Sequence, residues 1–244
     1  MKTIGIIPAR YASTRFPGKP LVDINGKTMI RRGYEQCVKT PELDEVLVAT
    51  DDQRIHDHVL SFGGRSVMTR EDHPSGTDRC AEALQLAGAG FDIAVNIQGD
   101  EPFIDPAQIS AVIQPFIQKP DTQIATLVRS ITAPEDIGNP NMVKVVFNHL
   151  NQALYFSRSP IPYDRNRKPG EWPANGQYYH HIGLYAFRQS VLLALTKLPP
   201  GRLEKIESLE QLRWLEAGWK IHVSLTGLES RGIDTPEDLE RVIG

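Results

Sequence analysis

Short apolar runs of strand length recur along the chain at 4–8, 45–50, 93–98, 123–129, 142–148, 153–157, 182–187 and 220–225. Between the first of them lie stretches with helical spacing. In 28–38 the apolar positions are Met29, Ile30, Tyr34, Cys37 and Val38. Asp52 is placed to cap a helix over 53–62, and Thr77 or Asp78 to cap one that runs to Ala87. This alternation predicts an α/β protein with a Rossmann-like, mainly parallel sheet flanked by helices. From 124 to 156 strands predominate, with Asn-Pro and Asn-His turn signals, which predicts a smaller mixed α/β subdomain. The stretch 203–216, with leucines at 209, 212 and 215 and Trp214, reads as one amphipathic core helix. The polar, Pro- and Gly-rich stretch 165–177 reads as a mobile surface loop. No repeat or linker interrupts the pattern, so one compact unit is expected.

Composition narrows the partners. The 244 residues carry 27 Lys and Arg against 30 Asp and Glu, a net charge of −3. No global basic field is available for a nucleic acid, so an anionic substrate has to be met by a local cluster. Arg10, Arg15 and Lys19 form such a cluster. Cys37 and Cys80 are the two cysteines, each in a predicted helix and without a C-x-x-C partner. A disulfide between them is compatible with the sequence; two buried, reduced thiols suit a cytoplasmic protein. Ile4 to Ile7 is too short for a signal-peptide core, and no apolar run reaches bilayer-spanning length. The expectation is a cytoplasmic protein with no membrane contact.

The first strand empties into Pro8-Ala9-Arg10-Tyr11-Ala12-Ser13-Thr14-Arg15-Phe16-Pro17-Gly18-Lys19, a loop of small residues, hydroxyls and three cations. At the carboxyl end of a strand in an open α/β sheet, that composition predicts a phosphate cradle. Gly26-Lys27-Thr28 imitates the end of a Walker A loop, but position 21 is Leu where that loop needs glycine. The dinucleotide fingerprint is also missing after the first strand, which argues against a nicotinamide enzyme. The run Val95-Asn96-Ile97-Gln98-Gly99-Asp100-Glu101-Pro102 reads as a buried strand ending in an amide, a glycine and two acids. From the residues alone, Asp100 is equally a carboxylate for a hard cation and a turn residue ahead of Pro102. Near the end of the chain, Thr235, Pro236 and Asp238 make a helix start, which leaves Asp234 just outside the helix and unexplained. His56 and His58 read as surface histidines on a helix. His180, His181 and Tyr185 read as half-exposed sheet residues, with Tyr185 on the face of His181. No Cys/His set suggests zinc.

The opening IIPARYASTRFPGKPLVDINGK resembles the nucleotide-binding start of the cytidylyltransferases that activate 3-deoxy-manno-octulosonate (Kdo), the CMP-Kdo synthetases. The resemblance continues through VATDD, SGTDR, VNIQGDEP, NPNMVKVVF, LYFSRSPIP, HHIGLYAFR, LEKIESLEQLR and GIDTPEDL, in order over nearly the whole chain. It implies one nucleotidyltransferase domain, with a nucleotide-binding half at about 1–122 and 214–244 and an acceptor-sugar and dimerisation half at about 123–213. It also implies transfer of CMP from CTP to the anomeric hydroxyl of Kdo, releasing pyrophosphate, for lipopolysaccharide synthesis. The nucleotide would be held by Ala9, Arg10, Ser13, Arg15, Lys19 and Gln98. Mg²⁺ would sit on Asp100 and Asp234, with Glu101 in support, and Asp100, Asp234, Arg10 and Lys19 would carry the catalysis. Gln98, Arg158, His181, Tyr185, Glu210 and Gln211 would line the acceptor pocket. A homodimer is implied, with 154–161 a candidate interface. Two other readings stay open: a related acceptor (8-amino-Kdo or a sialic acid), or a CTP-binding regulator without catalysis. The intact acids at 100 and 234 speak against the regulator.

Overall fold

The computed structural model describes residues 1–12, 16–168, 171–172, 178–229 and 232–243. Along the chain run β1 (Thr3–Ala9), a 3₁₀ turn (Lys19–Leu21), β2 (Asp23–Ile24), β3 (Lys27–Thr28), α1 (Met29–Cys37), β4 (Glu45–Thr50), α2 (Gln53–Ser61), β5 (Ser66–Met68), α3 (Gly76–Leu86) and β6 (Ile93–Asn96). There follow α4 (Pro106–Gln118), β7 (Ile124–Ser130), α5 (Pro134–Ile137), β8 (Lys144–Phe147), β9 (Ala153–Ser157) and β10 (Tyr179–Arg188). The last elements are α6 (Gln189–Leu195), α7 (Arg202–Glu207), α8 (Gln211–Glu216), β11 (Ile221–Leu225) and α9 (Pro236–Ile243).

The chain divides into two compact units, Met1–Ser110 with Ala186–Thr196 and Glu229–Gly244, and Ala111–Tyr185 with Lys197–Leu228. Compared with the halves expected from the sequence, 111–122 and 214–228 fall in the second unit and 186–196 in the first.

In the first unit the strand order is β6-β1-β4-β5, all parallel. Six of the seven β1 residues are buried, on alternating sides, which requires cover on both faces. Helices α1, α2, α3 and α6 pack against these strands. Asp52 caps α2 by accepting the Arg54 N–H at 2.9 Å, as the sequence predicts. The cap of α3 is Ser75, not Thr77 or Asp78: its hydroxyl accepts the Asp78 N–H, and Thr77 is buried inside the first turn. The β2–β3 hairpin turns on Asn25 and Gly26, both at positive φ, the conformation that Asn-Gly adopts at least cost.

In the second unit β11 lies parallel to β7, β7 neighbours β10, and β8 is antiparallel to β10 and β9. This is the mixed arrangement expected after residue 123, and the α/β class is as the sequence predicts. The single helix expected over 203–216 is instead two. Ser208 adopts the left-handed conformation (φ 53°), ends α7 and lets the chain restart at α8. Part of 165–177 lies outside the described residues; Trp172 within it is buried against Ile131, Ile137 and Tyr178. Both cysteines are buried and free. No helix among the described residues is long and apolar enough to cross a membrane.

Candidate active site

The parallel register of β1 with β6 pairs Ile6 with Asn96, so both strands deliver their carboxyl ends to one edge of the first unit. Beyond β6 the chain turns through Gln98-Gly99-Asp100, with the Glu101 N–H donating to the Gln98 carbonyl. The turn presses on β1. A Cβ at Gly99 would stand 2.7 Å from the Pro8 carbonyl oxygen, a separation only glycine permits. Gln98 and Asp100 are half-buried there.

Asp234 reaches the same place from the end of the chain. Its neighbour Ile233 is fully buried with Ile24 and Met29, and the Ile233 N–H donates to the Asp100 carbonyl at 2.9 Å. Behind it, Thr235 and Asp238 form a reciprocal cap on α9, each side chain accepting the other's backbone N–H. The cap accounts for the motif's other polar residues, and the Asp234 carboxylate points elsewhere. Lys19, at the 3₁₀ turn, donates from Nζ to Asp100 at 3.0 Å and to Asp234 at 3.2 Å. One ammonium, its side chain 14% exposed, thus gathers two carboxylates from opposite ends of the sequence. Two carboxylates converging on one positive charge are the donor set a hard cation takes with a nucleotide's oxygens. Asp100 and Asp234 therefore fit Mg²⁺.

The loop before Lys19 is closed at its base. The Gly18 N–H donates to the Tyr11 carbonyl at 2.9 Å, and Gly18 (φ 72°) lies under the Tyr11 ring. On Tyr11 rests the Arg54 guanidinium, 3.3 Å from the ring centroid and held by Asp52. Ala9 is buried and Arg10 exposed at the mouth of the loop; Ser13 and Arg15 lie outside the described residues. The sequence reading passed over Asn96. Its side chain is buried, its Oδ1 has no partner among the described residues, and its Nδ2 faces Gly76 at the head of α3. His58, read as a surface residue, is half-buried: Nε2 lies 2.7 Å from the Thr28 hydroxyl and the ring packs edge-on against Phe62.

Of the residues expected to bind an acceptor, Gln98 lies in the first unit, and Arg158, His181, Tyr185, Glu210 and Gln211 lie in the second. On β10, His181 and Tyr185 face the same way, their ring centroids 5.3 Å apart. Phe156 packs edge-on against His181 and Trp214 against Tyr185. Both rings are buried rather than half-exposed. The Thr126 hydroxyl lies 2.9 Å from the Leu184 carbonyl and 3.1 Å from His181 Nε2, so it donates to the carbonyl and accepts from the imidazole. Burial pushes His181 down to about 3, with His180 adding to the effect, and His180 down to about 4. Burial, then the nearby Glu210 carboxylate, raises the Tyr185 phenol. Glu210 immediately precedes α8, and Gln211, the helix's first residue, is 5% exposed.

Arg158 spends three N–H bonds on carbonyls: Nε on Glu207 at 2.7 Å, Nη1 on Pro140 at 3.0 Å and Nη2 on Ser208 at 3.3 Å. Buried Lys144 holds the Arg158 carbonyl at 2.6 Å and the Asn139 carbonyl at 2.7 Å. Together these cations fix the α7–α8 break beside Glu210 and Gln211.

The histidine shifts give a prediction. Both pKa values are depressed below the ordinary 6.5, so unfolding takes up protons below about 6.5. Their contribution to stability is complete above pH 6.5 and declines as pH falls toward 4 and then 3. In an NMR titration from pH 8 to pH 5 the His181 ring resonances should stay at neutral-imidazole positions. A midpoint near 6.5 would place that ring in water instead.

A family model described as Cytidylyltransferase matches residues 4–221. The 3-deoxy-manno-octulosonate cytidylyltransferase of Parabacteroides distasonis is 58% identical, covering all of this chain and 97% of its own. The chain belongs to the 3-deoxy-manno-octulosonate cytidylyltransferases. The Bacteroides thetaiotaomicron member is 56% identical over 98% of this chain and 96% of its own. A solved CMP:2-keto-3-deoxy-manno-octonic acid synthetase in complex with CTP superposes with a TM-score of 0.92 at 44% identity, covering 100% of this chain and 97% of the other. A cytidylyltransferase from Leptospira borgpetersenii, 17% identical with a TM-score of 0.64, shares the fold alone; it covers 100% of this chain and 85% of its own.

Proposed function

We propose that this cytidylyltransferase transfers CMP from CTP to the anomeric hydroxyl of Kdo, giving CMP-Kdo and pyrophosphate for lipopolysaccharide assembly. The observation that carries this reading is the cluster of Lys19, Asp100 and Asp234, a two-carboxylate site beside a cation-bearing loop in a family member. When bound at Asp100 and Asp234, Mg²⁺ supplies positive charge to phosphate oxygens and makes a hydroxyl easier to deprotonate. Arg10, Arg15 and Lys19 take phosphate oxygens and stabilise the charge of the leaving pyrophosphate; the small side chains of Ala9 and Ser13 admit the triphosphate to the backbone. Lys19 already holds both carboxylates in one place, so the site is assembled before substrate arrives. In this reading Gln98, on the turn that carries Asp100, touches nucleotide and acceptor.

In the second unit, neutral His181 and Gln211 read sugar hydroxyls, and Tyr185 and Glu210 close the pocket around them. Among the described residues Arg158 gives three of its five N–H groups to carbonyls, which leaves two for the acceptor's carboxylate. Because that carboxylate stands on the anomeric carbon, orienting it also orients the attacking hydroxyl. The reading includes a homodimer in the cytoplasm: Leu154 on β9 is 60% exposed, apolar surface that a second copy would cover.

The test is pyrophosphate release from CTP and Mg²⁺ across a panel of sugar acids. Release that requires both CTP and Kdo is the expected result. Release with 8-amino-Kdo or a sialic acid but not Kdo would reassign the acceptor, and silence with every acid despite CTP binding would leave a regulator.

A further inference from the structure

The loop that follows β1 leaves through Arg10 and Tyr11 and returns through Gly18 and Lys19. Its two limbs meet where the Gly18 N–H donates to the Tyr11 carbonyl at 2.9 Å. The Tyr11 ring covers that junction, since a Cβ at Gly18 would stand 3.2 Å from the ring's Cζ. The place of Tyr11 therefore sets the exit of Arg10 on one limb and of Lys19 on the other. Lys19 in turn holds Asp100 and Asp234. The returning limb has an anchor in Phe16, which packs against Ile24, Met29 and Ile233. The outgoing limb is held from α2. The Arg54 guanidinium sits 3.3 Å from the Tyr11 ring centroid, while its Nε and Nη2 donate to the two Asp52 oxygens at 2.9 and 2.6 Å. A planar cation gripped along its edge by a carboxylate still offers a face to an aromatic ring. The plain alternative is a surface ion pair, because the Arg54 side chain is 60% exposed. The helix does not call for that pair. Asp52 caps α2 through the Arg54 backbone N–H at 2.9 Å, a bond that any residue but proline would make at 54.

We infer that Arg54 is a positioning residue for the nucleotide: by clamping the Tyr11 ring it fixes the base of the loop, so that Arg10 and Lys19 meet the triphosphate in a set place. A limb ordered before CTP arrives loses less freedom on binding, and the affinity is higher for it. Arg54 touches neither phosphate nor metal in this account. It acts through the ring. The inference rests on the proposal that this loop holds the triphosphate.

The experiment is a double-mutant cycle read by calorimetric CTP affinity, by the KM values for CTP and Kdo, and by melting temperature. Its members are Arg54→Ala, Tyr11→Leu and the two combined, with Tyr11→Phe and Arg10→Ala beside them. Arg54→Ala should weaken CTP about three- to fivefold, the scale of an exposed cation–ring contact, and leave the KM for Kdo unchanged. Its melting temperature should move by no more than about 2 °C, because alanine keeps the backbone cap. Tyr11→Phe keeps the ring face and should bind CTP as the unmodified protein does. In the Tyr11→Leu background, removing Arg54 should cost less than about 1.5-fold more, since the ring it acts through is gone. Unchanged CTP affinity in Arg54→Ala overturns the inference, and so does a loss that appears only with a lowered melting temperature. An equal loss with and without the Tyr11 ring also overturns it, because Arg54 would then act on CTP directly, by contact or by charge. Arg10→Ala tests the loop itself. If that variant leaves CTP affinity unchanged, the loop does not hold the triphosphate and both readings fall; if it weakens CTP while Arg54→Ala does not, the role of Arg54 alone falls.

Discussion

Asp100→Asn and Asp234→Asn should each lower turnover by about two to three orders of magnitude and leave the fold intact. The carboxylates hold one ammonium between them, at 3.0 and 3.2 Å, with side-chain exposures of 31% and 48%. At that exposure each ion pair contributes roughly 0–1 kcal/mol to stability, so replacing one acid by its isosteric amide costs the fold little. Lys19 keeps its second carboxylate in either variant. Catalysis is different, because an amide lends no charge to a divalent cation and the donor set falls from two carboxylates to one. Turnover and melting temperature, measured together at saturating Mg²⁺, separate these effects. Near-original turnover in either variant removes that residue from the reaction. An equal collapse of turnover and melting temperature makes it a structural residue.

Sequence and structure agree best where a feature is local. The strand of β1, the cap at Asp52 and the helix start at Thr235 each depend on a few consecutive residues, and each is found where the pattern puts it. The convergence at Lys19 is not local. Its two acids lie 81 and 215 residues away along the chain, and no periodicity links them. The local pattern offers Asp100 as a cation ligand or a turn residue and leaves Asp234 unexplained; only the family resemblance pairs them, because what brings Asp234 in is the burial of Ile233 and its hydrogen bond to Asp100. Ordinary apolar residues rarely announce such a role in sequence. The break at Ser208 was hidden for another reason: the leucine spacing through 203–216 continues across it, and a serine in the left-handed conformation leaves no compositional mark. Arg158 and Lys144 bind carbonyl oxygens, which every residue has, so their partners could not be named in advance. The β2–β3 hairpin carried its Asn-Gly signal, but strands of two residues are too short for an alternation to show.

Gly99→Ala should both destabilise the protein and slow it. Gly99 links the end of β6 to Asp100, and its α-carbon packs against the end of β1. The added methyl would lie 2.7 Å from the Pro8 carbonyl oxygen and 3.6 Å from the Ile7 side chain. The oxygen belongs to the backbone of a buried parallel strand paired on both sides, so no rotamer change can relieve the contact. Overpacking of this kind costs about 1–3 kcal/mol, and a backbone neighbour puts the cost toward the upper end. The strain has one easy outlet, a shift of the turn that carries Asp100. That shift would pull the carboxylate from Lys19 and from Asp234, so turnover should fall even in the population that stays folded. The measurement is a denaturant midpoint beside the initial rate per folded molecule, well below the midpoint. Loss of stability with a full rate per folded molecule would mean that the turn absorbs the methyl without moving Asp100. An unchanged midpoint would mean that β1 and the turn are not locked together, which their geometry says they are.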